Sequence, residues 1–193
     1  MKEKQKPARK SKSKTRFAIL GILSQKECSG YEMKKFIENS IGFFWQESFG
    51  QIYPTLKILE SEGKIKTIED NAGDKTRLIH KITKSGRAEL KAWLTIQPEP
   101  EVIRNELLLK LFFGSEAQEN DILNHLKSER EKALKVFGKY QNIDSSLKSV
   151  NPENINKKFW QITLSYGVHA ARAELKWLDE TISILERELT KSD

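Results

Sequence analysis

Residues 48–61 hold the densest mixture of polar, aromatic and cationic side chains in the sequence. Four apolar residues at 3-4-3 spacing define one helical face, which we expect to be buried: Phe49, Ile52, Leu56 and Leu59. The opposite face carries small, flat or polar groups, Gly50, Pro54, Lys57 and Ser61, and Gln51 and Tyr53 flank it on either side. Small groups let a helix backbone approach a double helix closely, an amide can bridge an adenine edge, and a lysine reaches phosphates. This segment therefore predicts a helix that reads the major groove of DNA.

Pro54 complicates that helix, because a proline has no N–H to donate to the carbonyl oxygen of Gly50. Two arrangements stay open at this point. Either the Gly50 carbonyl lies in the first turn and is solvated, or the helix begins later than a cap at Ser48 indicates.

Lysine and arginine side chains in the neighbouring segments are predicted to contact phosphates, although lysines are common on any protein surface. This prediction depends on the placement of these cations around one helix and not on their number. The complete set of predicted DNA-binding residues is Tyr31, Lys34, Lys35, Ser48, Gly50, Gln51, Tyr53, Pro54, Thr55, Lys57, Lys64, Lys75 and Arg77.

Three helices are predicted before residue 63. The first is a short apolar segment at 17–24, and the second opens with a capping box at 29–32. A second capping box at 48–51 opens the third helix, which Gly63 is placed to end. The capping box favours a start of the third helix at Ser48, subject to the two arrangements that Pro54 leaves open.

After Gly63 the spacing of apolar residues is no longer that of a helix. Two short, β-branched, basic segments at 64–69 and 77–82 flank a turn-rich loop and predict a β-hairpin. Thr83 then caps a further helix that runs towards Leu94. Three helices, a hairpin and a helix follow the order of a winged helix-turn-helix module.

The remainder of the chain is predicted to be helical. Two prolines in 97–100 mark a linker, and helices are expected at 101–113, at 116–146 from a cap at Ser115, and after Pro152. The fold class is therefore mainly α, with a winged helix-turn-helix domain followed by an all-helical domain. We expect a basic tail at 1–15 and domains at 16–96 and 101–190.

The last helix carries two apolar stripes on nearly opposite faces, so it needs two partners. One stripe contains Ile155, Phe159, Ile162, Tyr166, Ala170, Ala173 and Trp177. The other is predicted to form a homodimer, through Leu164, Val168, Leu175, Leu178, Ile182, Leu185 and Leu189. The alternative is that the helix is sandwiched within its own monomer.

Composition excludes several classes of protein. The net charge of +7 is matched by residues 1–16, which hold eight Lys and Arg against one acid, so the folded body is nearly neutral. No apolar run approaches the length of a membrane span. A single cysteine, Cys28, excludes an internal disulfide framework and predicts a reducing, cytoplasmic location.

The sequence offers no pattern typical of an enzyme. His80, His125 and His169 stand far apart, and none has a His or Cys neighbour at metal-ligand spacing. Phosphate-binding glycine loops and the serine elbow of hydrolases are missing from the sequence. We therefore expect no catalytic site, no metal and no cofactor.

The segments 17–23, 29–32, 48–63 and 82–86 together resemble the PadR family of transcriptional regulators, and Gln-Ile-Tyr-Pro-x-Leu at 51–56 is the most specific match. The helical remainder is similar to that of the longer members related to the phenolic-acid-responsive repressor. The resemblance implies a homodimeric repressor that binds a palindromic operator and is released by a small, often aromatic effector. Candidate effector contacts are Trp93, Phe112, Phe113, Trp160, Tyr166 and His169.

A second function remains open, that of a ligand-independent architectural protein that binds DNA through its basic tail. Residues 1–15 have no counterpart in the family pattern, and eight of the chain's cations lie in or next to them. Such a tail is predicted to be disordered and to attract phosphates without reading sequence.

Overall fold

The computed structural model describes residues 14–70, 77–101 and 103–192, and the chain divides into two compact units after Glu99. The basic tail and Lys75 were assigned roles in phosphate binding. Residues 1–13 of that tail and Lys75 lie outside the described residues. Each unit is described by itself below.

The first unit begins with three helices, α1 (Thr15–Gln25), α2 (Gly30–Asn39) and α3 (Phe49–Ser61). The capping box predicted for α2 is confirmed: the Glu32 amide donates to the Ser29 hydroxyl, and the Ser29 amide donates to the Glu32 carboxylate. Gly63 has φ +65°, a conformation that favours glycine, and turns the chain from α3 into the hairpin.

A two-stranded antiparallel sheet follows, formed by β1 (Ile65–Asp70) and β2 (Arg77–Ile82) in a register that pairs Ile65 with Ile82. Cys28 joins His80 by an isolated antiparallel bridge, so the segment between α1 and α2 lies along β2. Helix α4 (Lys84–Leu94) comes next, and the Thr83 hydroxyl accepts from the Gly86 amide as predicted. The order confirms a winged helix-turn-helix.

Apolar side chains of every helix and of both strands form the core of this unit. The innermost residues are Ile19, Leu20, Leu23, Met33, Ile37, Ile52, Leu59 and Ile65. Ile52, Leu56 and Leu59 thus anchor one face of α3 in the core, and its other face is left to solvent.

The second unit contains α5 (Glu106–Phe112), a 3-10 turn (Gly114–Glu116), α6 (Glu119–Lys148) and α7 (Lys157–Ser192). Three predicted starts are wrong. Asn105 caps α5, so 101–105 precede the helix, and α6 begins after Gln118 rather than from a cap at Ser115. On either side of Pro152, the side chains of Asn151 and Asn154 accept from nearby backbone amides in turns, and regular helix begins only at Lys157.

The two stripes of α7 are used in the opposite sense to the prediction. Leu178 is 0% exposed and packs within the unit against α6 residues such as Leu126, so the leucine stripe is the core of this unit. The stripe assigned to dimerisation is therefore covered within its own chain: Leu164, Val168, Leu175, Leu178, Ile182, Leu185 and Leu189. The other stripe is open, with Phe159 64% and Tyr166 70% exposed.

Within the described part of the chain, every helix is too short or too polar to cross a lipid bilayer.

Candidate nucleic-acid interface

The exposed face of α3 begins at its N-terminus, where the Ser48 amide donates to Oε1 of Gln51 at 2.9 Å. This is the predicted capping contact, and it fixes the start of the helix at Phe49. It also ties the amide oxygen of Gln51 to the backbone, so the side chain has its NH₂ group left to offer an outside partner. Ser48, Gly50 and Gln51 are all exposed.

The helix passes through Pro54 without a break. Since α3 begins at Phe49, Gly50 lies in the first turn and is exposed, which selects the first of the two arrangements considered for Pro54. Thr55 turns its hydroxyl back to donate to the Gln51 carbonyl at 2.7 Å. That side chain therefore supports the helix and presents less to a partner than predicted.

Phe49 was predicted to be buried and is instead 41% exposed. It stacks with Tyr31 of α2 at a ring-centroid distance of 6.3 Å and with Tyr53 at 5.9 Å, and both tyrosines are also exposed. A Cβ on Gly30 would lie 2.8 Å from Cε1 of Tyr53, so the glycine allows that ring to lie against α2. Sequence reasoning missed this cluster. Its signal was the position of Phe49 directly after the cap, in the first turn of the helix.

The predicted phosphate contacts divide into two groups. Lys35 and Lys57 are exposed on α2 and α3, and the Lys35 ammonium lies 5.3 Å from the Tyr31 ring centroid. Both cations can therefore reach an external anion.

The second group is engaged within the unit. Lys34 pairs with Glu38, and Arg77 lies 2.9 Å from the Glu32 carboxylate. Hydrogen bonds from Ser29 hold the pKa of Glu32 below its ordinary value, with a further contribution from Arg77, so this acid is charged near neutral pH. Lys64 turns towards Ser85 of α4 and is a poor candidate for DNA contact.

Lys64 belongs to an ionic cluster that sequence reasoning missed. Its ammonium donates to the Ser85 hydroxyl at 2.8 Å and lies 3.6 Å from Glu89, while Arg16 pairs with Glu89 and Glu62. The cluster joins the start of α1, the end of α3 and α4. It therefore fixes the direction of the exposed helix.

A buried carboxylate holds the segment that precedes α3. Glu47 is buried, accepts from the Trp45 indole N–H at 2.8 Å and accepts from the Thr15 hydroxyl at 3.2 Å. Both oxygens thus have neutral donors, which compensates for burial. The anchor positions Ser48, and with it the first turn of α3.

The candidate effector residues fall in both units. Trp93 stacks on Phe17 at 4.5 Å and is a partly buried residue packed against the core of the first unit. In the second unit, Phe112 and Phe113 form an edge-to-face pair at the end of α5, while Trp160, Tyr166 and His169 lie on α7. Phe113 lines a groove of about 380 Å³ together with Leu109, Lys110, Glu116, Ala117, Ile122 and His125.

Comparison with protein families agrees with this division of the chain. Residues 19–92 match the transcriptional regulator PadR-like family, and residues 103–186 match the virulence activator alpha C-terminal family. The first match contains α2, α3 and the hairpin, and the second spans α5 to α7.

Individual relatives resemble the chain over nearly its whole length. The negative transcriptional regulator PadR of Bacillus subtilis is 27% identical over 90% of this chain and 98% of its own. The crystal structure of that protein in complex with operator DNA has a TM-score of 0.80, with 26% identity over 91% and 99% of the two chains.

Two other crystal structures are similar. The PadR-like transcriptional regulator BC1756 of Bacillus cereus has a TM-score of 0.76 and 29% identity over 90% of this chain and 99% of its own. Bacillus subtilis PadR in complex with p-coumaric acid has a TM-score of 0.71 and 25% identity over 92% and 99% of the chains.

Proposed function

We propose that this chain, which belongs to the PadR-like family of transcriptional regulators, binds a palindromic operator as a homodimeric repressor and releases it on binding a small effector. It acts on DNA in the cytoplasm. Helix α3 and the wing formed by β1 and β2 contact the duplex, and α7 joins the two subunits.

One observation carries the DNA-binding proposal: the exposed first turns of α3. Ser48, Gly50, Gln51 and Tyr53 lie together at the start of a helix whose opposite face is anchored in the core. Helix-turn-helix proteins place the N-terminal residues of this helix against base edges in the major groove. A similar chain, Bacillus subtilis PadR, has been crystallised with operator DNA, which supports the same role here.

The homodimer proposal rests on the open stripe of α7. A helix of a protein in water seldom leaves a continuous row of apolar side chains exposed. A second copy of the same stripe would cover it. Two subunits would also present two copies of α3, as a palindrome requires. The stripe consists of Ile155, Phe159, Ile162, Tyr166, Ala170, Ala173 and Trp177.

Two relatives support the finer parts of the proposal. The Bacillus subtilis relative is named a negative transcriptional regulator, which favours repression. It has also been crystallised with p-coumaric acid, an aromatic acid, which favours an effector of that class. A ligand that prefers one arrangement of the subunits would shift the population of DNA-binding dimers.

Footprinting on the DNA upstream of the chain's own gene tests operator binding. We expect protection of a discrete palindrome, loss of that protection on scrambled DNA, and release by at least one member of a panel of aromatic acids. Continuous coating of both DNAs would instead support an architectural protein. A protected palindrome that no aromatic acid releases would leave the operator role intact and contradict the effector class.

The dimer face is tested by comparing Phe159→Asp with the exposed off-stripe control Gln161→Asp. Charge in an apolar interface is costly, so the first variant should sediment as a monomer while the second remains a dimer. Both should retain the helical circular dichroism of the wild type, because both side chains are exposed in the single chain. A dimeric Phe159→Asp protein would contradict this interface.

A further inference from the structure

Three aromatic rings form a continuous stack on the surface of the first unit. Tyr31, Phe49 and Tyr53 are 54%, 41% and 47% exposed, and Phe49 stands between the two tyrosines. The ring planes of Tyr31 and Phe49 differ by 7°, and those of Phe49 and Tyr53 by 21°. The stack thus crosses from α2 to α3 beside the exposed start of α3.

The stack holds the Phe49 ring in place before any partner arrives. Tyr53 lies against Gly30, where a side chain would collide with it, and Tyr31 is stabilised by the Lys35 ammonium at 5.3 Å from its ring centroid. The backbone of Phe49 is fixed as the first residue of α3 by the hydrogen bond from the Ser48 amide to Gln51. An apolar group is therefore presented to solvent in one defined place.

This placement has a specific use at a DNA interface. Thymine is the base that presents an apolar group, its 5-methyl, in the major groove, and phenylalanine is among the side chains that contact it. The neighbouring Gln51 and Ser48 supply hydrogen-bonding groups but no apolar surface. Phe49 supplies the surface that they lack.

We propose that Phe49, held between Tyr31 and Tyr53, is a specificity-determining residue that contacts a thymine 5-methyl group in each half of the operator. The inference rests on the proposed function, since it requires that α3 enters the major groove. It adds to that function the chemistry of one recognised base.

Replacement of single thymidines by deoxyuridine tests the contact, because it removes the methyl group and leaves base pairing unchanged. The DNA is a duplex enriched from a random library by the full-length chain, and affinity is measured by fluorescence anisotropy. Each half-site should contain one thymine at which a single substitution lowers the affinity of the wild type about fourfold. This is the loss that corresponds to one buried methyl-sized group.

Two variants assign that loss to a residue. Phe49→Ala should bind more weakly and show no further loss with deoxyuridine at the same position. Phe44→Ala removes another exposed aromatic ring, one that pairs with Phe43 outside the stack, and should keep the wild-type sensitivity. Thermal unfolding of each variant shows that the comparison is made between folded proteins.

The outcomes separate this inference from the proposed function. If the wild type selects a defined duplex but tolerates deoxyuridine at every position, or if Phe49→Ala keeps the deoxyuridine effect, the contact is overturned and the regulator remains. If the random library yields no preferred duplex, sequence-specific binding fails, and the contact fails with it.

Discussion

Arg16 and Glu89 form a buried ion pair in the first unit, with Nη2 of Arg16 2.8 Å from Oε1 of Glu89 and the Arg16 side chain only 6% exposed. The same guanidinium contacts Glu62, the residue that follows α3. Burial acts to lower the pKa of Arg16, but hydrogen bonds to Glu62 and Glu89 outweigh it and raise the pKa, so the side chain stays charged. The pair therefore links α4 to the end of the proposed recognition helix through α1.

Arg16→Met is expected to lower the free energy of unfolding of this unit by about 3 kcal/mol, because it leaves the mostly buried Glu89 carboxylate without its nearer cation and with Lys64, at 3.6 Å, to balance its charge. Lys34→Met is the matched control, since Lys34 pairs with Glu38 nearer the surface and such pairs contribute about 0–1 kcal/mol. Urea unfolding followed by circular dichroism measures both. Equal losses in the two variants would contradict the special role of Arg16.

Gly86→Ala tests the close approach of α4 to the backbone of Lys64, the residue that precedes β1. A Cβ at this position would lie 2.2 Å from the backbone oxygen of Lys64, so α4 must move, and we expect a loss of about 3 kcal/mol. Gly21→Ala in α1 meets no atom within 4 Å of the new Cβ and should instead stabilise the unit by about 0.5–1 kcal/mol. Chemical unfolding of both variants decides the point; a stable Gly86→Ala protein would show that α4 is free to shift.

Phe49 shows why the spacing of apolar residues predicted most of the buried face of α3 but missed the exposed aromatic cluster at its start. The apolar period from Phe49 to Leu59 was right for Ile52, Leu56 and Leu59, which other elements cover. Phe49 stands in the first turn, where the ring of Tyr31 is beside it and no core lies beneath it. The spacing of apolar residues shows which side chains share a face of one helix. Whether that face is buried depends on which other elements pack against it.

The same limit explains the reversed faces of α7. Two stripes were correctly read from the sequence, but either could pack against α6. Leu178 and Ile182 pack there, and the aromatic stripe with Phe159 remains open.

The ionic cluster around Arg16 could not be predicted from the sequence. Arg16, Glu62 and Glu89 are far apart along the chain, and no regular spacing connects them.

His80 makes the stability of the first unit depend on pH. Burial lowers the pKa of His80 below its ordinary value of 6.5, with a smaller opposing effect from Glu60. The unfolded chain therefore binds this proton more tightly than the folded chain. The stability that the neutral, buried His80 gives the folded state is fully present above about pH 6.5, and it is lost as the pH falls towards the lowered pKa of the folded state.

His80→Gln should remove this dependence while leaving a side chain that can still bond the Thr67 hydroxyl, which lies 3.0 Å from Nδ1 of His80. Urea midpoints between about pH 5 and pH 7 avoid the main range of the carboxylates. The wild-type midpoint should fall with decreasing pH, and the variant should be nearly flat. Parallel curves for the two proteins would show that another group is responsible.

Lys57 and Lys64 are both lysines of the predicted DNA-binding set, but their surroundings predict different behaviour. Lys57 is exposed on α3, so Lys57→Ala should lower affinity evenly across sequences and reduce the salt dependence of binding by about one ion. Lys64 donates to Ser85 and lies 3.6 Å from Glu89, so Lys64→Ala should lower stability and leave the salt slope unchanged. Anisotropy titrations at several salt concentrations, with unfolding curves alongside, separate the two effects. A reduced slope for Lys64→Ala would mean that this lysine leaves the ionic cluster to bind a phosphate when DNA is present.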